Sequence, residues 1–216
     1  MKRMHTLFYL GLLSGLLIFT GCSDDEDDTG PIGSATLEVQ MAEDIPASVD
    51  VPRGEPPVYT FYSLTDSRIV SPADSNSTQW DIALAGTTVL INGGTSGPGQ
   101  AEAQIVNGAF DDLTEAPEDG YQTDSEGGFA IPAGDENGWY NYTSTDSEPN
   151  NTVLPLPGKV IVLRTAEGNY AKMEILSYYE GNPDTTTPEF ADFATRPASR
   201  YYTFQYVAQP NGSRQF

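Results

Sequence analysis

The chain has 216 residues, with 31 acidic and 10 basic side chains and a formal net charge of −21 at pH 7. A surface of that charge repels the phosphates of nucleic acids and of anionic lipids, which excludes nucleic acid as a partner and a charged membrane surface as a docking site. The only cysteine, Cys22, cannot form an internal disulfide.

The first 21 residues are typical of a secretory signal peptide. Lys2 and Arg3 precede an apolar run over residues 7–19, which is too short and wrongly flanked for a membrane-spanning helix. Thr20-Gly21-Cys22 closes this run with small side chains and resembles a bacterial lipobox, in which the cysteine becomes a lipid-carrying N-terminus. We expect a lipoprotein signal peptide over residues 1–21 and lipidation at Cys22; a plain secretory peptide is the alternative.

Loss of the signal peptide would leave a mature chain without histidine, because His5 lies inside it. Neither a Ser-His-Asp triad nor a histidine-bound zinc site could then form, and the commonest general base would be absent. Asp111-Asp112 and Asp135-Glu136 are candidate acid–base pairs, but chance pairs are expected among 31 acidic residues. We therefore predict that the protein is not an enzyme.

An acidic block follows the cysteine. Residues 24–28 are all Asp or Glu and cannot bury apolar surface, which predicts a lipid-anchored disordered tether over residues 22–35 and one domain over residues 36–216. Such a block also resembles the surface-export signal of Bacteroidetes lipoproteins, with a solvated spacer as the alternative. The expected location is the outer membrane at the cell surface, held by the lipid anchor alone.

Beyond Ala35 the chain predicts an all-β class: a single antiparallel β-rich domain with long loops. Short runs rich in Val, Ile, Tyr, Phe and Thr are separated by Gly, Pro, Asn and Asp, and no helical period appears. The predicted strands cover residues 58–64, 80–84, 87–91, 101–106, 139–143, 160–165, 170–179 and 201–208. Other predicted features are a hairpin turn at 166–169, a single helical turn at 111–115 and irregular segments at 42–57, 144–157 and 181–200. Loops of that length commonly carry function.

Two strand patterns predict different degrees of burial. Trp80, Ile82 and Leu84 alternate with small or polar residues, which predicts a strand with one buried face. Residues 160–163 are apolar at every position, which predicts a strand covered on both faces.

The glycine-rich stretch at residues 92–99 follows a predicted strand, as a phosphate-binding loop would. It contains no lysine, however, and Gly99 leads into another strand pattern that contains Glu102. A phosphate loop of the Walker type requires a lysine and a following helix. We interpret the stretch as a wide connection between strands whose glycines supply positive φ angles.

Several segments resemble, in the same order, motifs of the HmuY family. The resemblance covers about residues 58–207, which is most of the mature chain. The matching segments are Phe61 to Leu64, Trp80 to Leu84, Val89 to Gly97, Gly138 to Tyr142, Lys159 to Arg164, Gly168 to Met173 and Tyr201 to Tyr206.

Membership of this family implies an all-β fold, a surface lipid anchor, haem capture as a haemophore, and delivery to a TonB-dependent outer-membrane receptor. It also implies two axial ligands to the haem iron, histidines in the best-known member and methionines in some relatives. Ser144 stands at the second ligand position of the motif, and only residues 130–137 remain of the loop that carries the first. Serine is not a useful axial ligand, so the family's histidines have no counterpart here.

Tyrosine and methionine are the remaining residue types that ligate haem iron. Tyr140 and Tyr142 lie two residues apart on one strand face, where they either pack with their hydroxyls at a wet edge or offer Tyr142 as a phenolate or a stacking surface. Met173 shares a strand face with apolar residues, which predicts a core position. Met41 lies close to the tether and is the other candidate iron ligand.

Two functions remain open at this point. The first is capture of haem or a related porphyrin for uptake. The second is a non-haem ligand-binding or adhesion module on the same fold, which the loss of both axial ligands favours. For the second function, residues 144–157 and 181–200 are the expected place of the ligand.

Overall fold

The computed structural model describes residues 37–134 and 137–216. The predicted signal peptide, Cys22, the tether and the Asp135-Glu136 pair lie outside these residues. The strands are β1 (Gln40–Pro46), β2 (Thr60–Ser63), β3 (Arg68–Val70), β4 (Ile82–Ala85), β5 (Thr88–Ile91), β6 (Glu102–Asn107), β7 (Tyr140–Tyr142), β8 (Val153–Pro155), β9 (Lys159–Arg164), β10 (Tyr170–Tyr179) and β11 (Ser199–Gln209). A short α-helix, α1, spans Pro188–Ala191, and a 3-10 turn spans Pro72–Asp74. No helix in the described part of the chain is long and apolar enough to cross a membrane.

The strands form three sheets in which every strand pair is antiparallel. The larger sheet has the order β1-β11-β10-β9-β6, the second has the order β3-β2-β4-β5, and β7 pairs with β8 as a separate hairpin. The all-β antiparallel class predicted from the sequence is confirmed.

The main core lies between the two larger sheets. It combines the inward side chains of β4 and β5, such as Leu84 and Ile91, with those of the larger sheet, such as Leu163, Met173 and Phe204. All five side chains are buried, and removal of such apolar surface from water is the dominant favourable term in folding. The β7–β8 hairpin contributes Trp139 and Val153 to the same core.

The outer faces of both larger sheets are also covered. Val160 and Val162 of β9 pack with Phe110 on the outer face of the larger sheet, so β9 is covered on both faces as predicted. Ala83 packs with Trp80 on the outer face of the second sheet. The prediction that the Trp80–Leu84 strand would bury one face only was therefore wrong: β4 is buried at every position.

The sequence missed three strands and α1. β1 and α1 lie within or beside segments expected to be irregular, and β3 and β8 have only three residues each. β1 pairs with β11 through its backbone, so its acidic side chains can stay in solvent and its sequence lacks an apolar run. The helical turn predicted at residues 111–115 is absent; a turn and extended backbone occupy those positions. The hairpin turn at residues 166–169 is confirmed, with Gly168 at φ +86°.

Buried polar side chains hold the connections around β4 and β5. The Asp81 carboxylate accepts the backbone N–H of Leu64 at 2.8 Å and that of Ala166 at 3.2 Å. The Asp124 carboxylate accepts the N–H groups of Ile91 at 3.0 Å and Ala130 at 2.8 Å. A buried backbone N–H group without an acceptor destabilises the fold. The two carboxylates accept N–H groups that would otherwise lack a partner in the sheets.

The glycine-rich stretch is a wide connection between β5 and β6, as predicted, and Asn92 closes it. The Asn92 side chain donates to the carbonyl of Trp80 at 2.8 Å and accepts the N–H of Gly99 at 2.9 Å. Of the four glycines only Gly94 has a positive φ, +59°. The others are required by close approach: a Cβ on Gly97 would collide with the Asn92 side chain and the Trp80 ring. The prediction that the glycines supply positive φ angles is therefore confirmed for Gly94 and wrong for the other three, which are required by packing.

Burial raises the pKa of the Asp81 carboxyl group, and the N–H groups of Leu64 and Ala166 oppose that rise. A raised pKa in the folded protein means that folding stability contributed by this group is present at low pH and is lost as pH rises through that pKa. We predict that Asp81→Asn lowers the free energy of unfolding by about 1–3 kcal/mol, because an amide cannot accept both N–H groups.

Denaturant unfolding at several pH values checks this prediction. The loss in free energy of unfolding caused by Asp81→Asn should grow as pH falls from 7 towards 4, because only the native carboxyl group gains a proton. Asp66→Asn, which removes the charge of an exposed carboxylate paired with Arg68, is the control and should cost less than about 1 kcal/mol. A deficit that shrinks as pH falls would contradict the account of Asp81.

Candidate functional site

The β7–β8 hairpin is closed by a buried threonine pair. The Thr143 and Thr152 hydroxyls lie 2.8 Å apart, and the Thr143 hydroxyl also donates to the carbonyl of Pro149 at 2.6 Å. The backbone N–H of Thr152 donates to the Thr143 hydroxyl at 2.9 Å. These bonds fix the loop between the strands on the hairpin, so the hairpin presents a defined surface.

A cluster of aromatic rings lies beneath the hairpin. The Trp139 ring centroid is 4.7 Å from that of Tyr140, 6.1 Å from that of Tyr178 and 5.3 Å from that of Tyr202. Tyr178 and Tyr202 meet edge to face at 5.4 Å. Edge-to-face pairs at these distances are favourable beyond the area that they bury, so the hairpin is seated on a rigid support.

Burial keeps the inner phenols of this region protonated. It raises the pKa of Tyr178 to about 12, raises that of Tyr179, and raises that of Tyr202 well above 10. All three side chains are buried, so the iron of a bound haem cannot reach them and they do not fit the role of axial ligand. Their hydroxyls are instead used structurally: Tyr202 donates to the carbonyl of Gly86 at 2.9 Å, and Tyr179 accepts the N–H of Val153 at 3.2 Å.

A groove of about 440 Å³ separates the hairpin loop from the segment that contains α1. Its volume lies within the range of about 300–1,000 Å³ that is common for ligand pockets. The lining residues are Glu148, Pro149, Leu154, Thr185, Thr186, Thr187, Pro188 and Ala191. The groove thus lies between the two long segments at residues 144–157 and 181–200.

Arg196 joins the segment that contains α1 to the hairpin loop. Its guanidinium donates to the carbonyl groups of Phe190 at 2.8 Å and Ala191 at 3.0 Å and, in the hairpin loop, to that of Asn150 at 3.1 Å. It also stacks over the Phe193 ring at 4.4 Å. Phe193 is 63% exposed, so this clamp presents an aromatic surface to solvent.

Tyr140 and Tyr142 share the hairpin but differ in environment. The Tyr140 hydroxyl donates to the Thr87 hydroxyl at 3.4 Å, and its ring packs on Trp139. Tyr142 is 58% exposed, the only exposed tyrosine in residues 37–134 and 137–216, and its hydroxyl donates to the Asn151 side chain at 3.3 Å. Ser144 is exposed in the hairpin loop, where its hydroxyl accepts the N–H of Asp146.

The two methionines lie on opposite faces of the larger sheet. Met173 is fully buried in the main core, as predicted. Met41 is 49% exposed on β1, and it pairs with Gln205, which pairs with Glu174 on the outer face. One iron atom cannot reach both sulfur atoms. Within the described residues, moreover, no three His, Cys, Asp or Glu side chains lie close enough together to hold a metal ion.

Comparison with protein families matches residues 56–191 to the family described as HmuY protein. The chain belongs to the HmuY family. The match spans both walls of the groove up to the end of α1, and it includes the β7–β8 hairpin. Comparison with proteins of curated function finds no match.

Two solved structures are also similar to this chain. The apo HmuY analog of Tannerella forsythia is 14% identical, with a TM-score of 0.49, and the alignment covers 81% of this chain and 96% of that protein. Apo PinO of Porphyromonas gingivitis is also 14% identical, with a TM-score of 0.46 and coverage of 80% and 98%.

Sequence reasoning located the two segments that form the groove but missed the features that shape it. Thr187-Pro188 is a helix-start signal, because a threonine at the N-cap and a proline in the first turn favour a helix beginning there. The role of Arg196 had no such signal, because its three acceptors are backbone carbonyls from two separate segments.

We predict that Arg196→Met loosens the groove. Loss of three charge-assisted bonds should lower the free energy of unfolding by about 1–3 kcal/mol and speed hydrogen exchange at the N–H groups of Ala191 and Asp192, which bond within α1. Arg196→Lys keeps the charge but cannot reach three carbonyls at once, so it should give an intermediate result. Unchanged exchange in Arg196→Met, measured by mass spectrometry or NMR, would show that the walls are held by other contacts.

Proposed function

We propose that this HmuY-family protein binds haem or a related porphyrin for uptake, through the exposed aromatic surface of the β7–β8 hairpin and the neighbouring segment. The observation that carries the proposal is Tyr142, which is 58% exposed while Tyr178, Tyr179 and Tyr202 are buried. Phe193 offers a second exposed ring on the segment that forms the opposite wall of the groove. Flat aromatic side chains of this kind suit the face of a tetrapyrrole.

Iron ligation in this proposal comes from one side at most. The described residues contain no histidine or cysteine, their two methionines lie on opposite sheet faces, and Tyr178, Tyr179 and Tyr202 are buried. Tyr142 is the phenol that fits a single bond to ferric iron, and Ser144 supplies no axial bond. The donor set therefore fits a porphyrin held by its faces and does not fit capture between two ligands.

A non-haem ligand in the same groove is the second candidate function. The groove is lined largely by threonine hydroxyls and small apolar side chains. Beside it, the side-chain oxygen of Asn150 is buried without a hydrogen-bond partner in the described structure. Buried acceptors are normally paired, so this oxygen suits a ligand that carries an N–H or O–H donor. This observation favours a polar small molecule over an adhesion partner.

The cellular part of the proposal rests on the sequence. We propose a signal peptide over residues 1–21, a lipid anchor at Cys22, an acidic tether over 22–35, and a binding domain over 36–216 at the surface of the outer membrane. A TonB-dependent outer-membrane receptor would receive the ligand. The protein acts by binding and carries out no reaction on its ligand.

We predict that Tyr142→Phe weakens and alters ferric haem binding. The substitution removes the hydroxyl and keeps the ring, so loss of an iron bond should change the haem absorbance spectrum and lower the affinity about tenfold, while the melting temperature stays the same. Absorbance titration with ferric haem measures both. The unmodified protein should give a high-spin ferric spectrum.

Tyr140→Phe is the matched control for this experiment. Its hydroxyl is already bonded to Thr87, so the variant should bind haem with the spectrum and affinity of the unmodified protein. Equal haem spectra for Tyr142→Phe and Tyr140→Phe would show that the Tyr142 hydroxyl does not bind the iron. Absence of any saturable absorbance change with haem, oxidised or reduced, would reject haem capture and leave the polar-ligand function.

The anchor is tested separately in cells. We predict that Cys22→Ser leaves the protein uncleaved or soluble, because serine cannot carry the lipid thioether. Detergent partitioning and the mass of the mature N-terminus measure this result. Normal maturation and partitioning of the variant would contradict the assignment of Cys22.

A further inference from the structure

A cavity of about 260 Å³ lies beside the β4–β5 turn, and two arginines line it. Arg53 comes from the loop after β1, and Arg200 lies near the start of β11. Gly86 and Thr88 form part of its wall. The cavity therefore contains two of the ten basic side chains of a chain whose net charge is −21.

Neither arginine is paired with an acid. Arg68, Arg164 and Arg214 each form a salt bridge with a carboxylate, whereas no carboxylate oxygen lies within 4.0 Å of the Arg53 or Arg200 guanidinium in the described residues. The two guanidiniums that share this cavity therefore lack a carboxylate partner, although the chain has 31 acidic residues. Glu55 also lines the cavity, so the wall carries a net single positive charge.

The backbone beneath Arg200 is strained. Arg200 has φ +71° and Ser48 has φ +62°, a left-handed conformation that costs a non-glycine residue free energy. The two residues are bonded to each other, since the Arg200 guanidinium donates to the Ser48 carbonyl at 2.9 Å. Strain of this kind persists where surrounding contacts enforce it and is concentrated at functional positions.

Backbone contacts connect the cavity to the hairpin site. The N–H of Ala47 donates to the carbonyl of Arg200 at 2.8 Å, and the N–H of Gly86 donates to the carbonyl of Ala47 at 3.0 Å. Between Gly86 and Thr88, Thr87 receives the Tyr140 hydroxyl and the Trp139 indole N–H. The cavity wall and the aromatic support of the hairpin thus share one short turn.

We propose that this cavity is a carboxylate-binding site in which Arg53 and Arg200 hold an anionic group of the ligand. Guanidinium groups match the planar geometry of a carboxylate and can bond to both of its oxygens. The Thr88 side chain lines the same space. The identity of the ligand rests on the proposed function: for a porphyrin, the group is a propionate. A free small carboxylate is the other source of the same chemistry.

The first test uses 4-phenylbutyrate and its neutral amide, added to the purified protein and followed by NMR. 4-Phenylbutyrate should shift the backbone N–H signals of Gly86 and Thr88. Its neutral amide derivative should leave them unchanged. Arg53→Gln should weaken phenylbutyrate binding about tenfold without changing the melting temperature, because Arg53 is exposed and its side chain bonds to no other residue in the described part of the chain. Arg200→Lys keeps the charge and loses the planar fork, so it should weaken binding as well.

Arg68→Gln is the matched control, since it changes the net charge equally and lies outside this cavity. The affinity of this variant for phenylbutyrate should stay within about twofold of the unmodified protein, because salt screens the charge of distant surface groups. Equal effects of Arg53→Gln and Arg68→Gln, or equal shifts with the acid and the amide, would overturn the carboxylate site.

The second test uses iron-free protoporphyrin and separates this inference from the proposed function. Arg53→Gln should weaken protoporphyrin binding as it weakens phenylbutyrate binding. If protoporphyrin binds and Arg53→Gln has no effect, the propionate assignment is overturned while porphyrin binding stands. If no porphyrin binds but phenylbutyrate does, the proposed function is rejected and the carboxylate site is supported.

Discussion

The fold depends on the buried Asp81 carboxylate, because it joins segments that no strand pairing connects. One oxygen binds the backbone after β2 in the second sheet, and the other binds the β9–β10 turn of the larger sheet. Asn92 and Asp124 hold the glycine-rich connection in the same way, through hydrogen bonds from their side chains to backbone groups. A carboxylate buried in this way costs desolvation, which the two N–H bonds offset in part. With the sheets fixed, the connecting segments at one end can form a site.

Burial also divides the aromatic residues by role. Tyr178, Tyr179 and Tyr202 lie inside, keep their protons and support the hairpin, while Tyr142 and Phe193 remain exposed and available to a ligand. The described residues contain no histidine, and the proposed site instead contacts its ligand through the faces of aromatic rings and through the guanidinium groups of the cavity beside the β4–β5 turn. A ligand with a flat apolar body and carboxylate groups would satisfy both parts.

The sequence predicted what depends on local pattern and missed what depends on distant contacts. Alternating and continuous apolar runs located most long strands, and the ordered motifs indicated the HmuY family. Asp81 looked like the polar face of a strand, because its partners lie 17 and 85 residues away along the chain. Arg196 and Arg200 gave no signal for the same reason: each bonds to backbone carbonyls, which every residue type carries.

The most direct measurement is hydrogen exchange by mass spectrometry on the purified protein with and without ferric haem. Binding at the proposed site should protect the β7–β8 hairpin, residues 144–152 and residues 188–200, and leave β3 and β6 unchanged. Protection confined to other parts of the chain, or no protection at saturating haem, would contradict the claim that this aromatic surface is where the protein holds its ligand.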